Sequence, residues 1–288
     1  ITVCRGVLIL PYKNGYLSTV CCDIAFFKKP EVNTYCYFTY GNIHRVALLG
    51  ILGAILGYKG YSQMQDILSN KKKKGKLEPS YPEFYEKLKD LKIAILPLNP
   101  KGVITKKIQI FNNSVGYASK EQGGNLIVKE QWLENPKWEI CILLDCEEAI
   151  KIKEAIQNYK CEFYPYLGTN DHFADIEYLG VEEAQTVIQD DYRIDSFMAK
   201  DNIEFIEKNS RQLRKILSED EIESYSRFKY EEALPKSIDA EVNNYKLERF
   251  VYTNGFVKFL DSKQVYSISN QDNKEAIEAK KRKNIVFY

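Results

Sequence analysis

The apolar positions of this chain fall into short runs divided by polar, glycine- and proline-bearing segments, and the spacing inside each run predicts its element. Residues 16–27, "YLSTVCCDIAFF", are dense in β-branched and aromatic side chains and are closed by Pro30, which cannot donate to a ladder; they predict a first strand. Residues 44–57, "HRVALLGILGAILG", are almost wholly apolar, and Asn42 stands where it can cap a helix. A bilayer span needs about 20 such residues, so the run is to be buried in protein. Gly50, Gly53 and Gly57 recur at steps of three and four and make one smooth helix face, expected to let a sheet approach closely. Each glycine costs about 1 kcal/mol relative to alanine, which tertiary contact has to offset.

Residues 70–82, "NKKKKGKLEPSYP", read as an exposed loop, and "EFYEKLKDL" as a short amphipathic helix leading into a strand at 92–98. Residues 103–132 alternate apolar and polar side chains on both sides of a glycine- and serine-bearing tip, the pattern of a long protruding β-hairpin. A buried strand at 137–145 and a helix at 146–159 follow. One more strand after "YPYLGTND" (164–171) completes a βαββαβ order, so the fold class is α+β, a ferredoxin-like unit over 1–180 with the hairpin between its second and third strands. Residues 181–288 read as a smaller β-rich part with a charged helix, "NIEFIEKNSRQLRKILSEDE", and strands "YKLERFVYT" and "GFVKFLDSKQVYSI".

At 288 residues, with 44% hydrophobic and 28% charged, the chain has the profile of one large or two modest globular domains. Its net charge of +1 conceals an asymmetry: residues 1–140 hold 20 basic against 11 acidic side chains, and residues 141–288 hold 21 against 29. The first half is a candidate anion binder. Nucleic acid is the commonest large anion for such a surface, and a solvated lysine coat accounts for the charge equally well. Seven cysteines without C-x-x-C spacing suggest buried, reduced thiols in a cytoplasmic protein, and with His44 and His172 the only imidazoles no metal or cofactor is expected. The apolar piece "VLIL" near the start is shorter than a signal peptide's core.

Five pieces in order, "FFKKPE" (26–31), "HRVALLGILGAILG" (44–57), "YPEFYEKLKDLKI" (81–93), the hairpin and "YPYLGTND", make the first two thirds of the chain resemble the CRISPR-associated Cas-five family of the RAMP superfamily, and its type I-B branch in particular. The resemblance implies an RNA-recognition-like (RRM-like) fold with the hairpin as a thumb. It implies a subunit of the ribonucleoprotein complex Cascade in antiviral defence, holding the 5′ handle of the crRNA, touching the backbone and large subunits, and meeting target DNA through the complex.

An RNA handle offers phosphates, 2′-hydroxyls and unstacked bases, so its receptor needs cations and planar faces. Lys28 and Lys29 at the strand exit, and His44 and Arg45 at a helix N-terminus with free N–H groups, are the candidate phosphate contacts. Lys28 and Lys29 also read as a solubilising loop, and His44 as a satisfied cap histidine. On the hairpin, Lys106, Lys107 and Lys120 could track a backbone, and Tyr117 could wedge against a base or equally be an exposed turn aromatic; the prolyl turn can place Tyr164 or Tyr166 on the sheet face where bases stack, with core packing the rival and for Tyr164 the preferred reading. Metal-free RNA cleavage needs a paired acid and base, and no spacing pairs His44 or His172 with a partner. A binding subunit is therefore preferred over the alternatives, a metal-independent endoribonuclease that processes repeat RNA and a purely structural module that meets an acidic protein.

Overall fold

The computed structural model describes residues 13–31, 35–64, 80–112, 114, 116–117, 120–122, 124–217, 222, 225–262, 264–269 and 282–288, with the backbone alone at 13–17 and 269. The lysine run at 71–74 and residues 1–12 lie outside the described residues.

The elements in chain order are β1 (Lys13–Cys21), β2 (Ile24–Ala25), α1 (Arg45–Ile55), α2 (Glu83–Leu88), β3 (Ile93–Pro97), β4 (Lys106–Asn112), β5 (Ile127–Glu134), β6 (Lys137–Leu143), α3 (Glu147–Gln157), β7 (Asp175–Val187), β8 (Met198–Ala199), β9 (Ile203–Ile206), α4 (Ser210–Leu213), β10 (Lys229–Ile238), β11 (Tyr245–Thr253), β12 (Phe256–Phe259), β13 (Val265–Ser269) and β14 (Arg282–Val286). The protein is strand-rich α/β. Its main sheet runs β14-β13-β7-β1-β6-β3 with every neighbouring pair antiparallel. Within it β7, β1, β6 and β3 lie side by side, and α1 and α3 occupy the connections β1-to-β3 and β6-to-β7.

The run read as one first strand serves two sheets. After Cys21 the chain turns at Asp23, whose carbonyl accepts from Asn135 N–H at 2.8 Å, and β2 leaves the main sheet to pair with β5. The expected hairpin is found as β4–β5, with Lys106 opposite Leu133 through Asn112 opposite Ile127. Its seven-residue arm carries it about 24 Å from its base. Further on, the helix expected from residue 202 is found, among the described residues, only as the four-residue α4. Residues Ile203–Ile206 instead pair with β12, a partner fifty or more residues away that local periodicity does not announce. The division expected at residue 180 falls inside β7, whose outer edge takes up β13 and β14.

One face of the main sheet (Val20, Ile93, Ile95, Trp138, Ile140, Ile142) packs against α1, α2, α3 and the β10–β11 hairpin. The other face closes over a smaller core of Ala94, Leu96, Cys141 and Leu143 with Tyr266, Ile268, Ile285 and Phe287. Past β14, Tyr288 exchanges backbone hydrogen bonds with Ile93 at 3.0 and 3.4 Å, and Phe197 N–H reaches Ile95 O at 2.9 Å. The free edge of β3 is thereby covered and leaves no ladder for another chain to extend. Among the cysteines, Cys141 alone is fully buried as expected, whereas Cys146 and Cys161 are exposed; all six described ones are free thiols.

The glycines of α1 face a helix, not the sheet. A Cβ on Gly53 would lie 2.5 Å from Phe84 Cβ of α2, whereas one on Gly50 would meet Phe84 only at 4.0 Å. Gly57 lies beyond the helix as its C′ residue at φ +76: Gly57 N–H donates to Ala54 O and Tyr58 N–H to Gly53 O, a Schellman closure. The N-cap is His44 rather than Asn42. Asn42 is fully buried, donating to Gly102 O at 3.0 Å and accepting from Trp138 Nε1 at 2.9 Å. The two helical glycines therefore respond in opposite directions to alanine. Gly50→Ala should raise unfolding free energy by up to about 1 kcal/mol, and Gly53→Ala should lower it by about 1–3 kcal/mol through overpacking against Phe84, both read from urea denaturation.

Candidate nucleic-acid interface

Three segments distant in sequence meet at the foot of the hairpin. The strand exit lies against the prolyl turn, where Phe26 N–H donates to Leu167 O at 3.0 Å. Gly168, at φ +98, passes so close that a Cβ there would sit 1.6 Å from Phe26 O. Residues 35–40 are sewn on either side: Lys29 N–H to Phe38 O at 2.7 Å, Tyr37 N–H to Lys129 O and Gln131 N–H to Tyr37 O, both at 2.8 Å. His172 of the turn packs edge-on to Trp132 of β5, ring centres 4.8 Å apart.

On this foot the cations stand in distinct states. Lys28 is exposed with its ammonium 3.9 Å from the centre of the Tyr37 ring. Lys29 is 3.4 Å from Glu232, whose carboxylate also accepts from Gly41 N–H, and Lys107 is 3.4 Å from Glu134, so both are partly neutralised. Lys106 is exposed. Partial desolvation at the thumb base lowers its pKa, Glu232 opposing that shift and Lys29 adding to it. Lys28, Lys106, Lys120 and Lys129 have no carboxylate within ion-pair distance among the described residues. Around them stand exposed planar rings: Tyr35 (88%) and Phe38 (38%) beside the strand exit, and Tyr117 (77%) at the tip, where Lys120 N–H closes a turn on Tyr117 O.

The two residues at the start of α1 do not belong to this surface. His44 is 3% exposed; its Nδ1 accepts from Ala47 N–H at 3.1 Å, and Phe27, Tyr40 and Tyr245 surround its ring. Burial lowers its pKa to about 3, so it is a neutral cap. Arg45, expected to grip a phosphate, is 7% exposed, and its guanidinium donates to Lys89 O and Leu91 O at 2.7 Å and to Tyr288 O at 3.2 Å. The helix N-terminus is thus filled by the protein's own core. His172 is also buried, its Nδ1 3.2 Å from the Thr169 hydroxyl. Tyr166 is 44% exposed but lies on the prolyl turn, bridged to Phe173, and not on a sheet face, which the second core closes.

Sequence reasoning did not single out Tyr37, Lys129 or Trp132. Lys129 and Trp132 sit on the hairpin arm whose alternation was legible. Tyr37 joins them through a parallel bridge to Glu130, a non-local contact.

No known family's sequence profile matches the chain, and no characterised protein matches it in sequence. Among its structural neighbours are CRISPR proteins and subunits of CRISPR complexes. A chain of a CRISPR RNA-guided surveillance complex superimposes with a TM-score of 0.44 at 11% identity, covering 85% of this chain and 91% of that one. A chain of the type III-B Cmr-beta complex bound to cognate target RNA and AMPPnP gives 0.46 at 12%, covering 84% and 86%. A CRISPR protein from Archaeoglobus fulgidus gives 0.41 at 15%, covering 95% and 98%. At these identities and scores the likeness fixes neither a family nor a function.

Arg45→Met keeps the stem and removes the donors, leaving the carbonyls of Lys89 and Leu91 unmet and Tyr288 O with Ile93 N–H alone. Unfolding free energy should fall by about 2–6 kcal/mol, about 1–3 for each carbonyl left without a donor, with RNA absent or present alike; a variant of wild-type stability that loses RNA affinity would contradict the structural role. His44 makes stability pH-dependent. The unfolded imidazole titrates near its ordinary value of about 6.5 and the folded one near 3, so the unfolded chain gains a proton the folded chain refuses. The contribution is whole above pH 6.5 and is lost as pH falls, by about 1.4 kcal/mol per unit. His44→Asn keeps an acceptor without titrating there, so the stability gap between wild type and variant should narrow by about 2 kcal/mol from pH 6.5 to 5.

Proposed function

We propose that this chain is a non-catalytic RNA-binding subunit of a CRISPR surveillance complex of the Cascade kind, type I-B by its sequence wording, holding the 5′ handle of the crRNA at the foot of its thumb. The observation that carries the reading is the meeting of unneutralised cations, Lys28, Lys106 and Lys129, with the exposed rings of Tyr35 and Phe38 where hairpin, strand exit and prolyl turn are sewn together. Phosphates take the ammonium groups and unstacked bases take the rings, the two demands a single strand makes on its receptor. Lys120 and Tyr117 extend the same chemistry to the tip.

The strand arrangement β7-β1-β6-β3, antiparallel throughout and with helices on both crossovers, supports reading this part as a ferredoxin-like unit, with the thumb inserted between β3 and β6. Burial of His44 and His172 supports binding over catalysis, because neither imidazole is open to a 2′-hydroxyl.

The test is salt-dependent binding of a handle oligonucleotide to the full chain. Replacing Lys28 and Lys106 together by alanine removes two phosphate partners and should reduce the magnitude of the slope of log K against log salt by about 1.4, at roughly 0.7 for each phosphate of a single strand. Repeat RNA incubated with the protein in EDTA should remain uncut. An unchanged slope would remove the thumb foot as the binding surface, and specific cleavage would replace the subunit reading with the ribonuclease one.

A further inference from the structure

The main sheet covers its β3 edge with the protein's own chain, and the thumb leaves its outer edge open. In the sheet β2-β5-β4, β5 is paired on both sides, with β4 on one and with β2 and Tyr37 on the other, whereas β4 is paired with β5 alone. Backbone groups alternate in direction along an antiparallel strand. Glu134 N–H donates to Thr105 O at 2.9 Å, so Thr105, Lys107, Gln109 and Phe111 turn their N–H and C=O groups toward β5. Those of Lys106, Ile108, Ile110 and Asn112 turn outward, where no hydrogen bond meets them among the described residues. Edge strands are commonly blunted by proline, a bulge or a covering segment. This one runs seven residues without proline, glycine or register shift.

The same four residues put their side chains on one face of the ribbon, because faces alternate in step with the backbone. Ile108 and Ile110 are 52% and 55% exposed, and Ile127, opposite Asn112, is 64% exposed. Lys106 begins the row and Lys129 stands opposite Ile110, both exposed and neither within ion-pair distance of a carboxylate among the described residues. The other face is engaged: Phe111 lies against Trp132, ring centres 6.4 Å apart, and Trp132 against His172.

We propose that the outer edge of β4 takes an extended segment of a protein partner as a further antiparallel strand, with apolar side chains beside Ile108 and Ile110 and a carboxylate beside Lys106. The backbone decides the class of occupant. An alternating row of donors and acceptors matches a polypeptide, whereas its carbonyls repel phosphates and branched aliphatic side chains give a base no flat partner. Charge decides the kind of segment: the lysines beside the isoleucines favour a carboxylate and disfavour a second copy of the same lysine-bearing ribbon. The proposal goes beyond RNA binding at the thumb foot and stands whether or not RNA is held there.

Amide hydrogen exchange of the full chain, read residue by residue by NMR, tests the edge directly. In the free protein the amides of Ile108 and Ile110 should exchange freely while those of Gln109 and Phe111 are protected. The probe is an acetylated heptapeptide, Thr-Thr-Val-Thr-Val-Thr-Glu, which sets its valines opposite Ile110 and Ile108 and its glutamate opposite Lys106. At saturation it should slow exchange at Ile108 and Ile110 by about tenfold. Methylating both valine nitrogens should weaken binding about tenfold through two lost hydrogen bonds, and a lysine in place of the glutamate should weaken it about twofold to fivefold. Ile110→Pro removes a donor that β5 does not use, so it should abolish docking and leave Gln109 protected. Edge amides already protected in the free monomer, no slowing by the peptide, or equal binding of the methylated peptide would overturn the proposal. So would protection that appears on dimerisation of the chain, or with a handle RNA oligonucleotide and not with the peptide, which would give the edge to a second copy or to nucleic acid.

Discussion

One guanidinium ties together stretches of this chain that are far apart in sequence. Arg45 opens α1, where a cation has the wrong sign for the helix dipole, yet its side chain reaches the carbonyls of Lys89 and Leu91, just past the C-terminus of α2, where a cation has the right one. The same fork takes Tyr288 O, 243 residues along the chain, and Tyr288 is paired with Ile93 at the start of β3. A lysine cannot reproduce this, because its point charge lacks the planar set of donors that meets three acceptors at once. The contact therefore sets the lateral position of α1 on the sheet and holds the last strand against the first face of the core.

With α1 anchored there, the character of its other residues follows. The helix is enclosed between the sheet and α2, so its glycine side is a helix-to-helix contact: Phe84 occupies the space a side chain at 53 would need. Its first turn is enclosed as well, by Asn42 bonded to Trp138 and by three aromatic rings around His44. Backbone N–H groups at a helix N-terminus attract an anion only when solvent reaches them. Here they meet protein, and the cations without a carboxylate partner among the described residues, Lys28, Lys106, Lys120 and Lys129, stand outward at the strand exit and thumb.

What the sequence made legible is what neighbours in the chain decide. Period-two alternation gave the thumb's two arms, since each side chain's face is set by the residues next to it. Short bounded apolar runs gave β3 and β6, and helical spacing gave α3. Contacts made across long separations were not legible. The break at Asp23 depends on Asn135, the strand at 203–206 on Phe256–Phe259, and the closure of the sheet on the last residues of the chain. The candidate site divided the same way. The lysines of "FFKKPE" and the hairpin were found as surface cations, whereas Arg45 misled, because nothing local in "HRVALL" says that carbonyls at 89, 91 and 288 will come to meet it.

The prolyl turn frames the proposed surface at the thumb foot. On one side Leu167 and His172 lock it to the strand exit and to Trp132 under the thumb; on the other, Pro165 and Ala174 form a wall of a hollow beside Tyr159. The frame is stiff: Gly168 lies against Phe26 with no room for a Cβ, and the turn is closed by its own backbone bonds. An element with a single arrangement cannot transmit a conformational signal, which requires two.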